Sequence, residues 1–275
     1  SVIWGSSFLV VKKSMDSMHP HTLLALRFTI GSILLCIIFM NRLKNLNKEY
    51  FLKGGIIGVF LFIAYSLQTI GITDTTPGKN AFLTAIYCVI VPYLYWIIEK
   101  NKPDIYNIFA GILCLTGIGF VSLNNDFKIR FGDTFTLISG FFYAAHMVAL
   151  SKLTKDKDPV LLTIVQFGYT AIFSWIIALL FEDIPRSWKQ NVIFEVLYLA
   201  VFATAVALLL QTIGQKYTKP APASIILSLE AVFGVLFSVI FYEEEVTFKL
   251  MIGFLLIFIS VITSESKWDF LKKNK

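Results

Sequence analysis

Leu67-Gln68-Thr69-Ile70-Gly71 recurs 143 residues later as Leu210-Gln211-Thr212-Ile213-Gly214. Five matching residues in an apolar chain carry little weight alone. Six residues past each glycine, however, stands a proline, Pro77 and Pro220, at the same offset. Nearer the start, Lys13, Pro20, Leu23 and Phe28 align with Lys152, Pro159, Leu162 and Phe167 at an offset of 139. In that register Trp4 faces Tyr143, and Arg27 faces Gln166. Residues 1–125 and 131–265 therefore read as two copies of one unit, followed by a basic tail at 266–275.

Each unit is a run of apolar stretches separated by short polar breaks. The pattern predicts helices at 1–17, 20–40, 53–73, 79–98, 104–123, 132–153, 159–181, 191–215, 220–242 and 247–265. Most are near the roughly 20 residues that a bilayer core of about 30 Å requires. The breaks carry helix punctuation: His19-Pro20, Thr76-Pro77-Gly78, Lys102-Pro103, Asp158-Pro159 and Lys219-Pro220. A transmembrane barrel would show alternating segments of about ten residues, and these runs are continuous. No cleavable signal peptide is visible. Only eleven residues precede Lys12 and Lys13, so the first helix reads as lacking its first turns.

Five spans per unit is an odd number. The second unit must then enter the membrane from the side opposite to the first. The expected architecture is all-α and integral to the membrane, with ten transmembrane helices as two inverted five-helix repeats around a central cavity. Such symmetry is a common basis of alternating access, with the binding site at the midplane between the halves.

Composition agrees with a membrane setting. Of 275 residues 56% are hydrophobic and 15% charged, and the mean hydropathy is +0.73. A soluble surface needs more charge than that. The net charge of +6 does not mark a nucleic-acid binder, because the basic residues are scattered through short loops. With the N-terminus inside, fifteen Lys and Arg fall in inner loops and the tail and eight in outer loops, while Arg27 lies within a span. Both termini are therefore expected in the cytoplasm. Cys36, Cys88 and Cys114 stand singly in apolar stretches, which argues against zinc and disulfide frameworks. Gly117-Ile118-Gly119 lacks the third glycine of a dinucleotide fingerprint, and no Walker, Ser/His/Asp or metal-ligand spacing stands out. No cofactor and no enzymatic activity are expected, and energy for transport must come from a gradient or a partner. Oligomeric state is left open. The run Glu243-Glu244-Glu245 reads as solvated, and Gly54 with Gly58 as a small-residue packing pair.

Three motifs carry a resemblance. Trp4-Gly5-Ser6-Ser7-Phe8, Ala25-Leu26-Arg27-Phe28 and Leu229-Glu230-Ala231-Val232-Phe233, the last ending at Phe241-Tyr242-Glu243, resemble EamA-type transporters of the drug/metabolite transporter superfamily. The resemblance covers essentially the whole chain, including its two-unit layout. It implies ten helices, a cavity lined by both halves, and export of amino acids or other small metabolites across the cell (inner) membrane. One departure is that the family often has proline after the ninth-helix acid, where this chain has Ala231; Pro92 lies four residues beyond the paired position, Cys88.

Polar groups within the spans are the candidate substrate or coupling residues, because ionised side chains at the bilayer centre are costly. Glu230 lies near mid-depth in the ninth helix, with Tyr87 at the aligned position of the first half. A carboxyl buried for packing is the plainer alternative. A proton is the candidate coupling ion there. Arg27 can bind carbonyls or snorkel as readily as it can bind substrate. His146 can titrate, although a lone His is more often a hydrogen-bonded core residue. Trp4 and Tyr143 form either cavity walls or packing. Gln68 and Gln211 suit interhelical hydrogen bonds. The reading that unites them is a secondary-active transporter of a small molecule. The alternatives are a channel or structural subunit, or an enzyme on a lipid-linked substrate. The first would show an open polar lining, the second a polar cluster near one interface.

Overall fold

The computed structural model describes residues 1–100, 102, 105–122, 129–184, 188–245 and 247–266. Among these the regular structure is helical, with no strand. In chain order the helices are α1 (Val2–Ser14), α2 (Pro20–Ile38), the single turn α3 (Met40–Leu43), α4 (Lys48–Thr73), α5 (Pro77–Thr84), α6 (Tyr87–Glu99), α7 (Ile105–Ser122), α8 (Phe131–Leu153), α9 (Pro159–Phe181) and α10 (Gln190–Tyr198). A π-helix (Leu199–Val206) then leads into α11 (Ala207–Tyr217), α12 (Pro220–Phe241) and α13 (Phe248–Ser266).

Among the described residues six stretches are long and apolar enough to cross a membrane: Pro20–Ile38, Lys48–Thr73, Pro77–Glu99, Phe131–Leu153, Pro159–Phe181 and Gln190–Tyr217. The spans expected at 104–123, 220–242 and 247–265 contain the apolar helical segments Ile105–Val121, Ile226–Phe241 and Phe248–Thr263, and that at 1–17 falls on the 13 residues of α1. The expected tail lies outside the described residues beyond Ser266, as do Lys128 and Arg186 of the loop-charge count.

Local chemistry sets the boundaries. Pro20, Pro77, Pro159 and Pro220 each open a helix, where a missing N–H costs nothing. α4 begins at Lys48, five residues earlier than expected at 53, because the Asn47 side chain accepts from the backbone N–H groups of Glu49 and Tyr50. The span expected unbroken at 79–98 is two helices, with Ala85 and Ile86 between them. Pro92 lies within α6 and leaves the carbonyl of Cys88 without its i+4 donor, one turn beyond the break.

Helices pack chiefly as α4 on α8 and α9, α2 on α9, α1 on α12, and α7 on α13. The α4–α9 contact uses the expected small-residue pair. A side-chain carbon at Gly54 would lie 2.6 Å from Val165, and one at Gly58 would lie 2.9 Å from the Gln166 carbonyl oxygen. Large apolar side chains such as Ile37, Leu115, Leu179 and Phe181 point outward. That is unfavourable in water and natural in lipid.

Charge gathers at the helix ends. At one face Arg42 pairs with Asp158, Glu49 with Lys53 and Lys157, and Glu99 with Lys152. At the opposite face the Asp133 carboxylate accepts from Lys79 Nζ at 2.8 Å and from Thr75 Oγ1 at 2.9 Å. There too Glu182 accepts from the backbone N–H groups of His21 and Thr22, the exposed donors at the start of α2. Glu244 does the same for α5: it accepts from Gly78 N–H at 3.0 Å and from the hydroxyls of Thr76 and Ser238. This corrects the reading of Glu243–Glu245 as merely solvated. A free helix N-terminus within reach recruits the middle carboxylate.

Candidate functional site

The break between α5 and α6 places Tyr87 at the first position of α6, 3% exposed. Its hydroxyl donates to Glu230 Oε1 of α12 at 3.1 Å. Beside it the Tyr143 hydroxyl of α8 donates to Gln68 Oε1 of α4 at 2.8 Å, and Gln68 Nε2 donates to Thr84 Oγ1 at 3.1 Å. Tyr65, one turn before Gln68, packs edge-on against Tyr143 with ring centroids 5.4 Å apart.

Arg27 of α2 is 1% exposed. Its Nε donates to Thr204 Oγ1 at 2.8 Å, and its guanidinium lies 4.8 Å from the Tyr65 ring centroid. Trp4 Nε1 donates to the Ala203 carbonyl at 2.9 Å. Both acceptors belong to the π-helix, a form that concentrates at functional sites because it breaks the regular hydrogen-bond ladder. His146 Nε2 meets Gln166 Oε1 at 2.9 Å, Gln166 Nε2 donates to Thr212 Oγ1 at 3.3 Å, and Gln211 Nε2 donates to Gln215 Oε1 at 3.0 Å.

Several of these residues line one cavity of about 40 Å³. Its wall includes all eight candidates named from sequence: Glu230, Trp4, Tyr143, His146, Tyr87, Gln68, Gln211 and Arg27. The lining joins helices from both halves of the chain. Glu230 and Arg27 do not form an ion pair with each other among the described residues.

Among the lining residues outside that set, Tyr65 and Asn80 bear on the site's polar network. Tyr65 shares a helical face with Gln68, Thr69 and Ile72, a spacing of three, four and seven that could have flagged it. Asn80 sits one turn into α5 with an exposure of 0%, inside the helix expected at 79–98, where nothing in the apolar pattern singles it out. The π-helix has no signal in Leu199–Val206, a stretch with neither Pro nor Gly. No group of three or more His, Cys, Asp or Glu is arranged to hold a metal among the described residues.

The comparisons agree with this architecture. The model of the EamA-like transporter family matches residues 1–123 and again 130–264. An uncharacterized transporter of Archaeoglobus fulgidus is 35% identical over 262 residues, covering 95% of this chain and 82% of that one. The uncharacterized transporter YoaV of Bacillus subtilis is 21% identical, covering 94% and 91%. A protein crystal structure, 16% identical, superposes with a TM-score of 0.69 over 99% of this chain and 98% of its own, a likeness of fold. A helical, lipid-facing chain matched twice by one transporter family is a multi-pass membrane transporter, and it belongs to the EamA-like transporter family.

Proposed function

We propose that the chain is a secondary-active transporter that exports amino acids or other small metabolites by alternating access. Its two halves, 1–125 and 131–265, are five-helix repeats inverted across the membrane, with both termini in the cytoplasm of a cell whose inner membrane it spans. Glu230, Trp4, Tyr143, His146, Tyr87, Gln68, Gln211 and Arg27 bind or couple the cargo, with a proton as the coupling ion.

The observation that carries this reading is the Tyr87–Glu230 hydrogen bond, whose partners stand 143 residues apart. That is the offset of the repeat. A residue touches its own counterpart only close to a twofold axis. Phe28 and Phe167, counterparts at offset 139, likewise meet edge-on with centroids 5.5 Å apart. Both contacts support a pseudo-twofold axis between the halves, beside the cavity, where inverted-repeat transporters bind cargo. A cavity of about 40 Å³ holds on the order of three waters.

The test is a metabolite comparison of medium and cells with and without expression. The expected result is at least one small polar metabolite that accumulates outside only on expression and stops doing so when the proton gradient is collapsed. Identical profiles reject the reading.

A further inference from the structure

A row of buried residues runs the length of α4. Tyr50, Gly54, Ile57, Leu61, Tyr65, Thr69 and Ile72 follow one another at steps of three or four, as a helix of 3.6 residues per turn requires. The matching run of the second half passes from α10 through the π-helix to α11. It starts in the same way, with Val192, Val196, Leu199 and Ala203 buried at steps of four, three and four. The row then resumes at Leu208, Thr212 and Gln215. From Ala203 to Leu208 the step is five. Leu208 and Thr212 align with Tyr65 and Thr69 at the offset of 143. The second half therefore reaches that shared register with one residue more than the first. Within the π-helix Ala200, Thr204 and Ala205 are buried too, so the buried face broadens where the row changes phase. A helix whose two ends are fixed by packing takes up one extra residue by widening a turn from i→i+4 to i→i+5 bonds.

The widened turn gives neighbouring residues to two different helices. The Ala203 carbonyl accepts from Trp4 Nε1 of α1 at 2.9 Å, and Thr204 Oγ1 accepts from Arg27 Nε of α2 at 2.8 Å. Just before the turn, Tyr198 Oη meets Ser6 Oγ of α1 at 2.6 Å. The approach of α2 is close: a side-chain carbon at Gly31 would lie 3.3 Å from Thr204 Cγ2. Trp4 and Arg27 both line the cavity. The first half offers nothing equivalent. The positions aligned with Ala203 and Thr204 are Phe60 and Leu61, inside the unbroken α4. The counterparts of Trp4 and Arg27 are held by side chains instead, Tyr143 by Gln68 and Gln166 by Thr212.

We infer that the second half carries one residue more than the first between Ala203 and Leu208, and that the π turn this produces makes Ala203 and Thr204 the positioning groups of Trp4 and Arg27 on the cavity wall. This rests on the two-unit reading of the chain. Exact repeats would present the same groups to the cavity twice. The extra residue makes its two walls unlike, because a π turn serves Trp4 and Arg27 and an α-helical face serves their counterparts.

The experiment uses the full chain in lipid nanodiscs and compares two single-residue deletions. Val206 lies in the step of five, and Ile63 is its aligned position in α4. Deleting Val206 restores an α-helix with both flanks in register, so the variant is expected to fold and to melt close to wild type. Deleting Ile63 turns everything beyond it by about 100° and is expected to leave no cooperatively folded protein. Equal damage from the two deletions overturns the extra residue. The positioning role is read by NMR on ¹⁵N-labelled protein. The Trp4 indole signal is identified by its loss in Trp4→Phe, and the Arg27 Nε signal by its loss in Arg27→Lys. Deletion of Val206 is expected to shift both. Thr204→Val is expected to shift the Arg27 signal, and Thr204→Ser, which keeps the hydroxyl, to return it to its wild-type place. Unmoved signals in the Val206 deletion, or an Arg27 signal indifferent to Thr204→Val, overturn the positioning role. In the comparison of medium and cells, Thr204→Val is expected to lose the change in profile that wild type produces and Thr204→Ser to keep it. An unaltered wild-type profile from Thr204→Val also overturns the role. If wild type itself changes no profile, the transporter reading fails, and melting and NMR still decide this one.

Discussion

Glu230 receives a hydrogen bond from Tyr87, the residue 143 positions earlier that the sequence register aligns with it. In the register read from the sequence, one position thus carries an acid and its counterpart a hydroxyl. Two carboxylates at contact would repel each other, whereas a phenol donates to a carboxylate. Glu230→Gln keeps the size and an oxygen for the Tyr87 hydroxyl but cannot titrate. The folded variant is expected to lose transport or its pH dependence, read by efflux of the exported compound over a wide pH range. Wild-type efflux at every pH rejects a role for the charge. The candidates legible in the sequence were those that break the apolar pattern. Tyr65 and Asn80 were missed because a tyrosine in an aromatic-rich chain and an asparagine beside Pro77-Gly78 both have ordinary explanations. Glu182, at the end of α9, gives a second prediction. Burial acts to raise its pKa, but hydrogen bonds from His21 and Thr22 outweigh this and hold it at about 2. The unfolded value is near 4.3. A depressed folded pKa stabilises above the unfolded value, and that stability is lost as pH falls through the folded one. The melting temperature of Glu182→Gln should therefore lie below wild type at neutral pH, with the gap closing from about pH 4 toward pH 2.

At the scale of elements, the helices were readable because a continuous apolar run bounded by proline has few other solutions in a membrane. Their interruptions were not. The break at Ala85–Ile86 positions Tyr87, and the π-helix supplies acceptors to Trp4 and Arg27. Both depend on contacts between segments far apart in sequence, which local periodicity does not record. The α4–α9 contact was legible, since two glycines four apart mark a close approach of helices. It also positions the site: Gly58 lies against the backbone of Gln166, whose side chain orients His146. Gly58→Ala would place its new carbon 2.9 Å from the Gln166 carbonyl and from Tyr169 Cβ, neither of which is a flexible side-chain end. It is expected to cost about 1–3 kcal/mol, by analogy with overpacking a core. Gly168→Ala on α9, where nothing lies within 4 Å, should be neutral or slightly stabilising. Thermal unfolding of the two variants side by side checks the pair, and equal stability would show that the close approach is not required.

At the scale of the whole molecule, the two-unit reading rested on a few residues, chiefly Pro and Gly at matching offsets, and the EamA-like family model matches residues 1–123 and again 130–264. What a repeat cannot disclose is how its two copies differ. Asp133 shows one such difference. It belongs to the second half, it is fully buried, and it holds Lys79 and Thr75 of the first half. Its neighbour Gly132 donates its N–H to Asp74 of the first half at 3.0 Å. Three bonds thus tie the start of α8 to the loop and helix that follow α4. In alternating access the halves must separate at one face while closing at the other. If Asp133 marks the closed face, removing its charge should weaken that closure. Breaking one partner of a buried ion pair costs about 3–5 kcal/mol, because the other charge is left without compensation. Water reaching Lys79 relieves that cost, so Asp133→Asn should favour the state opened at this face. The readout is a cysteine at Thr69, which lines the cavity with an exposure of 2%, in a chain whose Cys36, Cys88 and Cys114 are replaced by alanine. A membrane-impermeant thiol reagent applied from outside should label it slowly when Asp133 is present and much faster in Asp133→Asn. Size-exclusion behaviour separates an opened protein from an unfolded one. An unchanged labelling rate in folded Asp133→Asn would mean that the cluster braces the helices without gating them. Acceleration only with reagent applied from the cytoplasm would put the Asp133 face, and with it both termini, on the opposite side from the one the loop charges assign.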